Sequence, residues 1–143
     1  MITDVIARLI ARVPEFGGRI EGAMELADMI ARKALPQVTP AAHVVPLGMQ
    51  GGVANSANIF FTQEFDEAIG VLISLRTYTA TGGKSADLLE TLKLAVISAL
   101  AGWGPDTAVG VFRLLRGQLV SMEAGTVVYQ IDFAMMDQLR ISP

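Results

Sequence analysis

Ser85–Trp103, which reads SADLLETLKLAVISALAGW, is the stretch that decides the fold. Its apolar residues recur at steps of three and four, which places them on one face of an amphipathic helix of about four to five turns. They are Leu88, Leu89, Leu92, Val96, Ala99 and Leu100. Ser85 is the expected N-cap, because its hydroxyl can accept a hydrogen bond from a free backbone N–H. Gly102, Gly104 and Pro105 are expected to end the helix. The rest of the chain should pack against it.

Two shorter helices are predicted before residue 40. The apolar residues of 2–13 form one stripe, and Asp4 and Arg8 lie opposite it as an i,i+4 ion pair. A second stripe runs over residues 23–34, and Arg19–Glu21 is a candidate short strand just before it. Both helices are therefore predicted to bury one side.

The middle of the chain has strand-like and loop-like patterns. Ala41–Pro46 is predicted to be a strand, because valines favour extended structure. Leu47–Asn58 is rich in Gly and Asn and has no charged residue, a composition typical of a flexible loop. For Ile59–Tyr78 two interpretations stay open: one bent strand with a bulge at Gly70, or a hairpin that turns near Asp66.

Three further strands are predicted after Pro105. They are Val111–Arg116, Gln118–Glu123 and Thr126–Met135, separated by turns at Gly117 and at residues 124–125. Such short connections imply an antiparallel meander. The predicted fold class is therefore α+β, a mostly antiparallel sheet packed against two or three helices, in a single domain over residues 1–143.

Composition limits the classes of function. The 143 residues contain no cysteine, which excludes a disulfide scaffold, a Cys-based zinc site and a thiol nucleophile. The net charge of -3 gives no polybasic footprint for nucleic-acid binding. Charged residues make up only 17%, against about 25% in typical soluble domains, while hydrophobic residues make up 52%. This balance favours a surface hidden against copies of the chain or a partner, although abundant Ala and Gly also raise the hydrophobic share.

The candidate nucleotide and catalytic motifs are weak. The run Gly82–Ser85 resembles the end of a phosphate-binding loop, but Tyr78 stands where that motif needs its first glycine. His43 is the only histidine and lies in an apolar run, so a packed or interface histidine is favoured over a catalytic base. One histidine without cysteine also disfavours a catalytic zinc site. We therefore expect no enzyme activity, no metal and no cofactor.

Two groups of charged residues have alternative interpretations. Glu64, Asp66 and Glu67 are close in sequence, but they lack calcium-loop spacing and are favoured as a solvated strand end or turn over an acid–base pair. The arginines at positions 113, 116 and 140 are candidates for a partner's acidic rim or for nucleic acid. The apolar run Leu94–Trp103 is far short of the roughly 20 residues that a spanning helix needs, so no membrane contact is expected.

Three stretches carry a resemblance to a known family. They are Ala41–Gly48 (AHVVPLG after Ala41), Ala99–Pro105 (ALAGWGP) and Tyr129–Phe133 (YQIDF). In this order, around a central helix, they make the chain similar over nearly its whole length to the small tail-terminator (tail completion) proteins of long-tailed phages, prophages and phage-derived gene transfer agents. His43 stands where this resemblance leads us to expect a large apolar or aromatic residue.

The resemblance implies a lambda-type tail-terminator fold and a structural virion protein. Such proteins form a homo-oligomeric ring, commonly a hexamer, that caps the head-proximal end of the tail tube, stops tube polymerisation and presents a surface for joining the head. Another head–tail connector or tail-completion component is the alternative. The implied partners are the tail tube protein and a head–tail connector protein, with DNA passing through the lumen without specific binding. The implied location is the virion tail or a tail-like particle, after assembly in the bacterial host cytoplasm.

Five residues are predicted to bind these partners. Three lie in the uncharged stretch that was predicted to be a loop, where contact with a neighbouring subunit or the tube would order the chain: Gln50, Asn55 and Asn58. The other two, Arg113 and Arg116, lie in a predicted strand.

Overall fold

A five-stranded sheet and three α-helices make up the described part of the chain, which in this computed structural model is residues 1–34, 36–56, 59–77, 83–123 and 125–142. The elements in chain order are α1 (Ile2–Arg12), a 3-10 turn (Pro14–Phe16), β1 (Ile20–Gly22), α2 (Ala23–Ala31), β2 (Ala41–Asn55), β3 (Phe61–Arg76), α3 (Gly83–Leu100), β4 (Phe112–Glu123) and β5 (Thr126–Ile141).

The strands lie in the order β1-β2-β3-β5-β4. Every neighbouring pair is antiparallel except β1 and β2, which are parallel and joined through α2, because parallel neighbours need a crossover connection. The predicted α+β class with a mostly antiparallel sheet is therefore confirmed.

Helix α3 packs its apolar stripe onto the sheet as predicted. Leu92, Val96 and Leu100 have no exposed surface, and Leu88 and Leu89 are half-buried at the edge of the same core. The stripe lies in one hydrophobic cluster with the alternate residues of two central strands, namely Ile69, Val71, Ile73, Ile131, Phe133 and Met135. Burial of this kind contributes about 1.5–3 kcal/mol for each large side chain, so this layer dominates the stability of the fold.

The two ends of α3 differ in how well they were predicted. The helix begins at Gly83, so Ser85 lies inside the first turn and its prediction as the N-cap was wrong. At the other end Gly102 has a φ of 80°, the left-handed conformation that commonly terminates helices. Its N–H donates to the Phe112 carbonyl (2.8 Å), which ties the helix end to β4.

Helix α1 buries Val5 and Leu9 as predicted, but Arg8 does not point away from the core. Its Nε donates to the Ala99 carbonyl at 2.9 Å, and its guanidinium lies 5.1 Å from the Trp103 ring centre. A cation is favoured there, because the last carbonyls of α3 form the negative end of the helix dipole. Asp4 instead contacts the terminal amine of Met1 at 3.5 Å, so the predicted Asp4–Arg8 pair was wrong.

Helix α2 does not bury the stripe predicted for residues 23–34. None of its residues is buried, and Met24 and Ile30 are 81% and 66% exposed. The helix ends at Ala31, and its first turn is fixed by Glu25, whose carboxylate accepts from the Gly22 N–H at 3.2 Å.

The predicted flexible loop over Leu47–Asn58 was also wrong. Residues 47–55 continue β2 and pair with β3 across a ladder that is interrupted between Pro46 and Gly48 and between Gly51 and Ala54. Glycine and asparagine disfavour strand formation when only local sequence is considered. Here β3, which comes later in the chain, supplies the backbone hydrogen bonds that hold these residues extended. Asn58 lies outside the described residues.

Strands β4 and β5 are longer than predicted, whereas β3 lies within its predicted range. β3 runs without a turn at Asp66, and its pairing is unbroken at Gly70, so the single-strand interpretation holds without the bulge. β4 runs straight through Gly117, where a turn was predicted. A Cβ at Gly117 would lie 2.8 Å from the Tyr129 hydroxyl, so this glycine gives room to a cross-strand ring.

Candidate assembly surface

Three strands extend beyond the core and form what we call the wing. It consists of residues 47–55 of β2, residues 61–68 of β3 and residues 136–141 of β5. None of these residues is buried, and Met49 and Val53 are 65% and 84% exposed. The wing is therefore held by its backbone ladders and has little packing of its own.

The formal net charge of the wing accounts for the whole net charge of the chain. The wing has four acidic residues and one arginine, a formal net charge of -3, equal to that of the whole sequence. These residues are Glu64, Asp66, Glu67, Asp137 and Arg140. Arg140 lies with its guanidinium 4.5 Å from the Phe60 ring centre, and an exposed contact of this kind contributes about 0.5–1 kcal/mol. The rest of the chain is neutral overall, so the wing is the acidic end of the molecule.

Two of the predicted partner-binding residues meet at the base of the wing. Gln50 and Arg113 line one cleft of about 350 Å³, together with Leu47, Asp66 and Leu115. Arg113 Nη2 lies 3.1 Å from the Asp66 carboxylate, and both side chains are about half exposed. Asp66 therefore links β3 to β4 through an ion pair. Among the described residues no three His, Cys, Asp or Glu side chains could hold a metal ion together.

Arg116 occupies the next position along this face of the sheet and binds the carboxylate of Asp132, which was not among the predicted site residues. Its Nε lies 2.9 Å from Asp132 Oδ2, while Gln130 Nε2 donates to Asp132 Oδ1 at 2.7 Å. The Asp132 side chain is 4% exposed and that of Arg116 is 64% exposed. A Cβ at Gly70 would lie 3.3 Å from Asp132 Oδ1, so this glycine leaves space for the carboxylate.

Asn55 ends β2 at the far end of the wing. Its carbonyl accepts from Thr62 Oγ1 at 3.4 Å, opposite on β3. The structure therefore groups Gln50, Arg113 and Arg116 on one face and separates them from Asn55.

We predict that Arg116→Ala lowers the free energy of unfolding by about 1–3 kcal/mol, since it leaves the buried Asp132 carboxylate with one partner fewer. Because the Arg116 side chain is exposed, solvent screens its charge, and the expected loss of unfolding free energy lies toward the lower end of this range. Urea denaturation measures it. Arg113→Ala is the matched control and should cost less than about 1 kcal/mol, because Asp66 stays hydrated. Equal losses in the two variants would show that Asp132 does not depend on Arg116.

His43 is a packed residue on β2. It is 2% exposed, and neither ring nitrogen has a hydrogen-bond partner among the described residues. Burial lowers the pKa of His43, and the negative charges of Glu21 and Glu25 oppose this without reversing it. The protein therefore holds this histidine in its neutral form.

This lowered pKa predicts a loss of stability in mild acid. The unfolded chain takes up a proton near pH 6.5 while the folded chain resists it, so the free energy of unfolding should fall as the pH drops below about 6.5. His43 is the only histidine, so His43→Leu should flatten this dependence between pH 5.5 and 7. Thermal denaturation at several pH values measures it. Parallel curves for the two proteins would mean that His43 titrates normally in the folded state.

Strand β4 is the second exposed apolar element. Four residues in two adjacent pairs are 45–50% exposed: Leu114, Leu115, Leu119 and Val120. Both pairs lie where the pairing of β4 with β5 is irregular, so strict alternation of side chains between the two faces does not hold there. Strands were predicted here from the sequence, but no local pattern shows that they lie at the edge of the sheet.

No described helix is long and apolar enough to cross a membrane.

Comparison with known proteins agrees with this architecture. The sequence profile of the family described as phage tail terminator protein matches residues 2–143. A solved structure described as the virion of a native gene transfer agent (GTA) particle contains a similar chain, with a TM-score of 0.53 and 16% sequence identity over 94% of this chain and 92% of that one. No curated protein sequence matches significantly. At this identity the structural likeness concerns the fold, while the profile covers nearly every residue. The chain therefore belongs to the phage tail terminator protein family, whose members are structural proteins of phage tails.

Proposed function

We propose that copies of this chain close into a ring that caps the head-proximal end of a tail tube, stops tube polymerisation and presents the surface to which the head is joined. The observation that carries this proposal is the family match over residues 2–143. A hexamer is the ring size that the family resemblance implies. The proposed partners are the tail tube protein and a head–tail connector protein, in a virion tail or gene-transfer-agent-like particle assembled in the bacterial host cytoplasm.

The surface of the molecule supports assembly. Residues 47–55 of β2 and strand β4 expose apolar side chains, which is typical of surfaces that are covered in a complex. Copies related by rotation contact one another through two different surfaces, and such contacts close into a ring. We propose that Gln50, Asn55, Arg113 and Arg116 lie at these contacts, with Asn58 as a further prediction.

The charge distribution supports passage of DNA. We propose that the acidic wing faces the lumen, where its net charge of -3 in each copy repels phosphate. Positive residues there would bind the DNA backbone and hold it during transfer.

Tube polymerisation in the presence of the purified protein tests this function. The tail tube protein should form tubes whose mean length falls as more of the chain is added, because each capped end stops growing. Serum albumin at the same concentration is the control. Tubes of unchanged length would contradict tube termination and would favour the alternative role as another head–tail connector or tail-completion component.

A further inference from the structure

The sheet has two long outer edges that no described residue covers. β4 is the last strand of the sheet, and only its first residue is paired outward, where Phe112 bonds with the segment after α3. On the other side β1 pairs with β2 only at Ala42–Val44, which leaves residues 47–54 with β3 as their only paired strand. β4 has 12 residues and the open stretch of β2 has eight, whereas β1 has only three.

Free charges protect neither edge strongly, although the ladder of each edge strand is interrupted at two places. Exposed edge strands normally present charges, prolines, bulges or inward-pointing polar groups. Residues 47–54 have no charge. On β4 the two arginines form ion pairs within their own sheet, with Asp66 and Asp132, and the third charged residue, Glu123, lies at the end of the strand. β4 also exposes four apolar side chains that a partner would cover, namely Leu114, Leu115, Leu119 and Val120.

We propose that β4 of one copy pairs with residues 47–54 of β2 in the next copy, so that the sheets continue from subunit to subunit. This inference rests on the ring proposed above and names the two strand edges through which neighbouring copies in that ring contact each other. The partner of each edge is a second copy of the same chain.

Strand direction supports this pairing. Within one copy β2 and β5 run in one direction and β3 and β4 in the other. Rotation about a ring axis preserves direction along that axis, so β4 would meet the next copy's β2 in antiparallel orientation. Antiparallel ladders are the more stable kind. Pairing of β4 with β4 is also antiparallel, but it closes after two copies and gives no ring.

The positions of the two edges support it as well. The Glu67–Met135 pair divides the two central strands into two halves. β4 borders one half of β5, from Met135 back to Thr126. Residues 49–55 of β2 border the other half of β3, from residue 67 back to residue 62. Joining the edges therefore shifts each copy along the strand direction. Such a stagger is what a closed sheet with tilted strands requires.

Single-cysteine variants test the pairing, because the natural chain has no cysteine. One thiol is placed on β2 (Met49→Cys). The other is placed on β4 at one of three positions, which allows for the unknown register: Leu114→Cys, Val120→Cys or Met122→Cys. A β2 variant and a β4 variant are mixed, with and without tail tubes, and treated with a short bis-maleimide. Leu94→Cys on α3, which is 63% exposed, is the matched control.

The expected result is a cross-linked dimer in at least one β2–β4 mixture, and none for either variant alone or with the Leu94 variant. A chain with both cysteines should give a ladder that ends at the number of copies in the ring. Dimers of a β4 variant alone, or no β2–β4 product with and without tubes, would overturn the pairing. The same tubes are scored for capping: capped tubes without the cross-link refute only the strand pairing, and the cross-link without capping refutes only the tube-terminating function.

Discussion

Leu92→Ala is expected to lower the free energy of unfolding by about 2–5 kcal/mol. Leu92 has no exposed surface and lies in the core cluster that joins α3 to the sheet. Truncation removes the transfer free energy of its buried carbons and leaves a cavity, because strands held by their ladders cannot move in to fill it. Chemical denaturation of both proteins at equal concentration measures the difference.

Leu94→Ala is the control for this prediction, on the same helix and with the same change of side chain. Leu94 is 63% exposed, so its truncation should change the free energy of unfolding by no more than about 0.5 kcal/mol. A loss at Leu92 as small as that at Leu94 would mean that α3 packs through another face.

Removal of the wing is expected to abolish capping of tail tubes and to leave the folded core. Met49 and Glu67 are directly opposite, so an Asn-Gly turn can replace residues 50–66, with the chain ended after Gln138. No wing residue is buried, so the shortened chain should keep one cooperative unfolding transition. The fraction of capped tube ends should fall at least about tenfold, which corresponds to ~1.4 kcal/mol or more of lost binding free energy.

A double variant of α2, Met24→Ser with Ile30→Ser, is the control for the wing. It also changes exposed apolar residues, but it leaves the sheet edges intact, so it should cap tubes normally. Normal capping by the shortened chain would exclude the wing from assembly, and loss of cooperative unfolding would show that the wing supports the core.

The parts of the fold that depend on local periodicity were predictable from the sequence. The apolar stripe of α3 and its glycine-marked end follow from spacing and backbone conformation alone, and so does the α+β class. Burial of α2 could not be predicted in the same way. Its apolar spacing resembles that of α1, but whether a helix face is covered depends on elements elsewhere in the chain.

The wrong predictions for residues 47–55 and for Gly117 have one physical cause. Residues 47–55 look like a loop because glycine and asparagine disfavour extended structure locally, yet β3 supplies a ladder from beyond residue 60. Gly117 looks like a turn, although it makes room for the Tyr129 ring. In both places a long-range partner decides the conformation, and a single sequence shows no such partner.

The candidate surface was predictable only in part. The absence of charge in the stretch containing Gln50 is visible in the sequence, as are the arginines of β4. That Arg116 neutralises a buried Asp132, and that Arg113 meets Asp66, depends on the register of strands far apart in the chain. The two uncovered edges follow from the order of strands, which local patterns do not determine.

Electron microscopy of tail tubes assembled with and without the protein tests the central claim most directly. Averaged images of tube ends should show a closed ring at one end only, on tubes of limited length, and open ends without the ring when the protein is left out. Uncapped tubes of unlimited length in the presence of the folded protein would contradict the account.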